Sequence, residues 1–537
     1  MATADAVLPD DVDELKRLCL AHQNIIEKQK QRLLEFEHEV LWLKDKLYSR
    51  EKSLFGSSSE KLTDTDPAQY RLFNEAEVES DKAQSKQPEP VTVVKEHTRK
   101  KAGRKKRSTP AETQEVVHDI PLEERTCPCC GSERPLIKEE RSEELDLVPA
   151  KLVRIVHLRK VYGPCRCEQF ESSGEKTIIT APGPAKIVKG SDFSNRSIAL
   201  CLAAKYADGI PFARVEKILE RYGLEMSRAT LANLAMSTSL RVSPLVEAFE
   251  RDLRRSPVLL MDETPVQVHR ITGKPSTSKS YMWVRYGYKD KRPIVSFVYR
   301  SNRSSVTPNA LLADYAGFLQ TDGYAGYSAI GQSPGVVHVG CFAHIRRKFF
   351  EAFESAGKQG SAGEMLELLK QLYATEKRLR DKLDSGRLDD DSFTATRAVA
   401  MAPILEEIGA WLRSKAGAFP PKTLIGQAVS YALGEFPKAS RFVDHALLRP
   451  DTNLVENQIR PFVVGRKGWL FMDSPSGATA SAAFYGIIAT ARLNGHEPLR
   501  YLTYVFDEIA RREADAPVDD LLPYTLDPQA LIPVKTG

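Results

Sequence analysis

Asp262 stands in Pro257-Val258-Leu259-Leu260-Met261-Asp262-Glu263-Thr264-Pro265, an apolar run of strand character with a proline at each end. A charge inside a buried run is costly unless it is paired or bound to a cation, so this carboxylate reads as a functional group. Asp322 follows a second apolar segment, Gly317-Phe318-Leu319-Gln320-Thr321, and precedes Gly323. Two carboxylates brought close together repel unless a cation lies between them. Mg2+ (or Mn2+) suits such a pair, because it is held by one or two carboxylates together with water and substrate phosphate. A third acid, Glu456, lies in Asp451-Thr452-Asn453-Leu454-Val455-Glu456-Asn457-Gln458-Ile459-Arg460. Its spacing is ambiguous. With Asn453 as a helix N-cap, Glu456 falls at the capping-box position, and it could equally pair with Arg460 one turn on.

The cysteines carry a different chemistry. Five of the eight lie between Cys127 and Cys167, and only Cys19, Cys201 and Cys341 are elsewhere. In a reducing compartment such clustering points to metal before disulfide. Cys127 and Cys130 have C-x-x-C spacing, and Cys165 with Cys167 would complete a four-thiolate Zn2+ site. That second pair is tighter than the usual knuckle, Cys129 competes as a ligand, and a set of reduced thiols is the other reading.

The elements that must position these groups are those of a multidomain α+β chain. At 537 residues the chain is too long for a single core. With 42% hydrophobic and 28% charged residues and no apolar run of membrane-spanning length, it is expected to be soluble and cytoplasmic, nucleoid-associated, with no membrane partner. Residues 1–62 are expected to form a coiled-coil helix. Val12, Cys19, Ile26, Leu33, Val40 and Leu47 recur every seven residues, beside Leu15, Phe36 and Leu43. The chain is therefore expected to be a homo-oligomer; a helix packed back on its own chain would read the same. Residues 63–114 are polar and read as a disordered linker. Its run Arg99 to Arg107 places seven cations in nine residues, including Arg104, Lys105 and Lys106, suited to phosphate contact or simply to water.

Residues 115–180 would hold the zinc-ribbon-like β module, with alternating apolar residues from Leu145 to Val161. From 181 to 253 the pattern is helical. Pro211-Phe212 opens one helix, and Ser227 caps another with Arg228 just inside it, a spacing similar to a helix-turn-helix DNA-binding domain. The segment 254–475 begins with three strands (the Asp262 run, Ser280 to Tyr288 and Pro293 to Tyr299) in which Lys289-Asp290-Lys291-Arg292 makes a hairpin turn. A helix from Thr307, a strand through Gly317 to Tyr324, a strand Val336 to Cys341 and a basic helix with Arg346 and Arg347 follow. This is the order of a ribonuclease H-like α/β domain, in which the first and fourth strands are neighbours and Asp262 would meet Asp322. A helical insertion is expected over about 355–445, and a C-terminal helical segment and tail over 476–537.

Met261-Asp262-Glu263-Thr264, Thr321-Asp322-Gly323-Tyr324-Ala325-Gly326-Tyr327, Gly340-Cys341-Phe342-Ala343-His344-Ile345-Arg346-Arg347-Lys348-Phe349 and Asn453 through Pro461 to Phe471 closely resemble transposases of the insertion-sequence 66 family. The resemblance runs along most of the chain, and the order of four motifs makes chance similarity a poor explanation. It implies a DDE-type enzyme with Asp262, Asp322 and Glu456 as metal-binding acids. It also implies metal-dependent end cleavage and strand transfer on double-stranded DNA, with helper proteins of the same element as possible partners. Arg460, Arg466 and Lys467 would then neutralise phosphate, and Trp469 would stack on a base or, as favoured here, pack in the core. Cys341 and His344 match the family motif as well, and their spacing fits a structural role in the core. The Cys165/Cys167 pair departs from the family's more usual C-x-x-C. A non-catalytic regulator derived from a transposase, or a nuclease that cuts without joining, would share much of the pattern.

Overall fold

A computed structural model describes residues 11–55, 151–162, 179–513 and 515–531. Linker 63–114 with Arg104, Lys105 and Lys106 lies outside the described residues, as do Cys127, Cys129, Cys130, Cys165 and Cys167. The chain divides into two compact units, residues 1–86 with 154–537, and residues 87–153.

In the larger unit α1 (Val12–Phe55) is a single helix. Residues 151–160 form no strand, but β1 (Val161–Tyr162) pairs antiparallel with β2 (Ile179–Thr180). Four helices follow: α2 (Asn195–Tyr206), α3 (Phe212–Arg221), α4 (Arg228–Arg241) and α5 (Ser243–Leu253). Local chemistry sets their starts. The Ser194 hydroxyl accepts from Ser197 N, Ser227 accepts from Thr230 N, and Pro211 precedes α3 with its φ already fixed.

The central sheet contains β3 (Val258–Gln267), β4 (Lys279–Lys289), β5 (Arg292–Arg300), β6 (Gly317–Gln320) and β7 (Val336–Val339), ordered β5-β4-β3-β6-β7. The β3–β4 and β4–β5 pairs are antiparallel, whereas β3–β6 and β6–β7 are parallel. Asp290 and Lys291, at φ of 50° and 64°, make the two-residue turn between β4 and β5, the backbone that matches strand twist. A short helix, α6 (Val306–Leu311), leads into β6, which ends at Gln320, earlier than expected from its apolar pattern.

Beyond the sheet come α7 (Phe342–Ser355), α8 (Ser361–Asp384), α9 (Asp390–Ser414), α10 (Leu424–Ala439), α11 (Asn453–Trp469), α12 (Pro475–Leu493) and α13 (Pro498–Arg511). Helix α12 is stitched to β5 because Thr490 Oγ1 lies 2.9 Å from Val295 N and 3.1 Å from Val295 O. The fully buried Arg285 of β4 is paired with Glu250 of α5, so one core joins helices and sheet. No helix among the described residues is long and apolar enough to cross a membrane.

Candidate active site

Leu260 of β3 is the rung partner of Gln320 on β6. Two residues past that rung, in strands running the same way, stand Asp262 and Asp322. Adjacent strands lie about 4.7–4.9 Å apart, so the parallel register brings the two acids to the same level of the sheet. Asp322 sits just beyond the ladder, where its Oδ1 accepts from Tyr324 N at 3.0 Å and turns the chain. Gly323 is required there. A Cβ on it would lie 2.5–2.9 Å from the Tyr431 ring atoms and hydroxyl of α10.

Glu456 is buried in α11, which packs against β3. The helix begins one residue earlier than expected. Thr452, not Asn453, is the N-cap, and its hydroxyl donates to Glu456 Oε1 at 2.8 Å. Glu456 therefore falls four residues after the cap, outside the capping-box position. The lead-in to α11 is tied down from several sides. Phe342 N donates to Pro450 O at 2.8 Å, and Gln320 Nε2 to Arg449 O at 2.7 Å. Arg380 of α8 donates to the carbonyls of Ala446 and Leu448, and Arg397 of α9 to those of His445 and Leu448. Glu376 accepts from both arginines, so the buried charges are paired.

The acids sense one another. Burial pushes the Asp262 carboxyl well above the usual range, and Glu456, Glu263 and Asp322 push it further; the amide of Glu263 acts weakly the other way. Glu263 differs. Burial raises it, but the Tyr327 hydroxyl and Arg303 oppose that, and Arg303 is itself stacked over the Tyr324 ring at 3.8 Å. The chain thus neutralises Glu263 with its own groups and leaves Asp262 facing acids.

Among the described residues, one group of three metal-type side chains has its ligand atoms all within 4.8 Å of one another: Cys341, His344 and Glu456. Asp262, Asp322 and Glu456 are not drawn that tightly together. Cys341 is buried, as expected for a core residue, and its thiol is raised to about 12 by burial and then by Glu456 and Asp451. His344 is half-buried with Nδ1 3.3 Å from Cys341 Sγ, and Thr452 Oγ1 is 3.3 Å from the same sulfur.

The cations expected to meet phosphate divide. Arg228, Arg347 and Lys467 are exposed, and Arg460 is half-buried. Arg346 corrects the expectation, since it is buried at 4% exposure beside the Phe350 ring. Neighbouring helical positions differ by about 100°, so of two adjacent arginines one turns inward. Arg466 also differs. It donates to the Pro265 carbonyl and lies 3.4 Å from Thr264 Oγ1, fastening α11 to β3. Trp469 packs edge-on against Phe462 at 5.6 Å. Thr452, Arg303 and Tyr327 were not singled out from sequence. Only Thr452 had a signal there, a hydroxyl four residues before Glu456.

Comparison with known proteins gives the class first. Residues 190–480 match the model for the transposase IS66 family, 487–524 the IS66 C-terminal element, and 124–168 the zinc-finger binding domain of transposase IS66. Residues 36–116 match the model described as transposase C of IS166 homeodomain. Together they place the chain among transposases, with the DNA binding that the class implies and a segment pointing to structural zinc. The chain belongs to the IS66 family of transposases. An uncharacterized protein, y4qI, of Sinorhizobium fredii (strain NBRC 101917 / NGR234) is 26% identical over 98% of this chain and 99% of its own. A second from the same organism, y4jD, is 26% identical over 94% of this chain and 93% of its own.

Proposed function

We propose that this protein is a DDE-type DNA transposase whose ribonuclease H-like sheet presents Asp262, Asp322 and Glu456 as the catalytic acids. The observation that carries the reading is the parallel β3–β6 register, which levels Asp262 with Asp322 while Glu456 contributes to the charge felt by Asp262. The donor set fits a hard divalent cation, being all carboxylate. Mg2+ or Mn2+ held by these three acids would activate the attacking oxygen and stabilise the leaving one.

The chain's own groups do the rest. Thr452 holds one oxygen of Glu456, leaving the other available for a ligand. Arg303 and Tyr327 bind the two oxygens of Glu263. Exposed Arg228, Arg347 and Lys467 supply positive charge for the DNA backbone, which the enzyme would cut at the element's ends before the freed 3′-hydroxyl attacks target DNA. Cys127, Cys130, Cys165 and Cys167 would hold the structural zinc of the 124–168 module.

The test is cleavage and strand transfer on oligonucleotides carrying the element's ends, with Mg2+. Asp262→Ala, Asp322→Ala and Glu456→Ala should each lower both steps by on the order of 10³-fold or more, the loss of several kcal/mol of transition-state stabilisation. Full activity in any one of them sinks the triad. Cleavage without joining by the wild type would instead indicate a nuclease.

A further inference from the structure

We propose that Cys341, His344 and Glu456 form a second metal site, selective for a borderline-soft divalent ion such as Zn2+ and distinct from the cysteine module. The three side chains come from two helix starts that meet. Cys341 is the N-cap of α7, His344 lies in that helix's first turn, and Glu456 projects from the first turns of α11. Their ligand atoms already lie within 4.8 Å of one another. In a tetrahedral zinc site with bonds of about 2.0–2.3 Å, ligand atoms are roughly 3.3–3.7 Å apart.

The donor types decide the ion. A thiolate and an imidazole suit Zn2+, whereas Mg2+ demands oxygen ligands in an octahedron. Three protein ligands leave a fourth position for water or a phosphate oxygen, the pattern of open rather than structural zinc sites. Thr452 now links two of the three groups, its Oγ1 3.3 Å from the sulfur and bonded to Glu456 Oε1 at 2.8 Å. A bound ion would replace this hydroxyl link, and the Cys341 proton would leave to solvent as the Sγ–metal bond forms.

The site shares Glu456 with the proposed catalytic acids. Filling it with Zn2+ would withdraw that carboxylate and inhibit Mg2+-dependent cleavage; this consequence, unlike the site itself, rests on the DDE reading.

The experiment loads the full chain with Zn2+, removes excess ion and measures bound zinc, with Co2+ absorption as a second readout. Wild type should bind about one equivalent more than Cys341→Ser, a near-isosteric change, and the Co2+ spectrum should lose part of its sulfur-to-metal band. His344→Ala, at a half-buried position, should lose the same equivalent. Equal zinc content in wild type and in both folded variants overturns the proposal. Asp262→Asn separates the two readings, since it should keep the extra zinc while losing cleavage. An active Asp262→Asn that still binds the extra ion would defeat the DDE assignment and leave this site standing.

Discussion

An acid set among other acids is held in place at a cost, and Asp262 is in that position. Its neighbours Glu456, Glu263 and Asp322 all act against its charge. Asp262→Asn should therefore raise the stability of the metal-free protein by about 1 kcal/mol, the usual sign when a functional acid is removed. Added Mg2+ should raise the melting temperature of the wild type and not of the variant, because only the folded wild type binds it. A Mg2+ response that survives the substitution would place the ion elsewhere. Thr452→Val tests the next contact. It removes the hydroxyl that orients Glu456 Oε1, and a lost hydrogen bond to a charged group costs about 1.5–3 kcal/mol, so the cleavage rate should fall at least about tenfold. An unchanged rate would make Thr452 a cap and nothing more. At this scale Asp262 was legible because a charge interrupts an apolar run, and Asp322 because it ends one. Glu456 was not, since an acid early in a helix has too many ordinary explanations. Arg346 and Arg347 show the complementary limit, because a one-residue error in helical phase exchanges the buried arginine for the exposed one.

Elements were read well and their docking was not. Strand and helix periods located the sheet, including the β4–β5 hairpin, but nothing local told that α8 and α9 send Arg380 and Arg397 into the carbonyls ahead of α11. Those contacts join residues far apart in the chain and have no periodic signature. Through them Arg397 braces the lead-in to α11, the helix that carries Glu456. Arg397→Ala leaves Glu376 and the carbonyls of His445 and Leu448 with fewer partners in a buried setting and should destabilise the fold by about 3–5 kcal/mol in denaturant titrations. A loss under 1 kcal/mol would show the cluster to be dispensable. His338 on β7 gives a pH test. Burial, with Lys438 and Arg441, lowers its pKa to about 4 from 6.5, and its Nε2 lies 2.9 Å from Thr321 Oγ1. Because the folded pKa is depressed, the contribution of neutral His338 is complete above the unfolded value near 6.5. It is lost as pH falls, since the unfolded chain takes up the proton first, and the loss levels off near pH 4. At one pH unit per 1.36 kcal/mol the whole window is roughly 3 kcal/mol. His338→Gln should flatten the dependence between pH 6.5 and pH 4, and an unaltered slope would assign it to other groups.

At the scale of the whole molecule, α1 is attached at one end and bare along most of its length. Asp45 accepts from Ser355 Oγ and from Leu424 N, which ties the helix to the end of α7 and the start of α10, and Leu41 packs on the main core. The heptad seam read from sequence lies exposed among the described residues: Ile26, Leu33, Val40 and Leu47 are 50%, 62%, 49% and 62% exposed. Of the two readings open at the sequence level, this exposure supports pairing of α1 with a second copy. A helix with a continuous exposed apolar stripe of seven-residue period is stabilised by a second such helix. The expected outcome is a dimer or larger assembly of the full chain, paired through α1, so that two acid clusters are carried by one particle. Fully burying a Leu or Val side chain contributes about 1.5–3 kcal/mol. Leu33→Glu with Val40→Glu removes two such contacts per chain and sets like charges across the seam. Assembly should weaken: sedimentation at micromolar concentration should give an assembly for the wild type and a monomer for the double variant, with the helical circular dichroism of the rest retained. A wild type that sediments as a monomer, or a double variant that assembles as well as wild type, would overturn pairing through this seam.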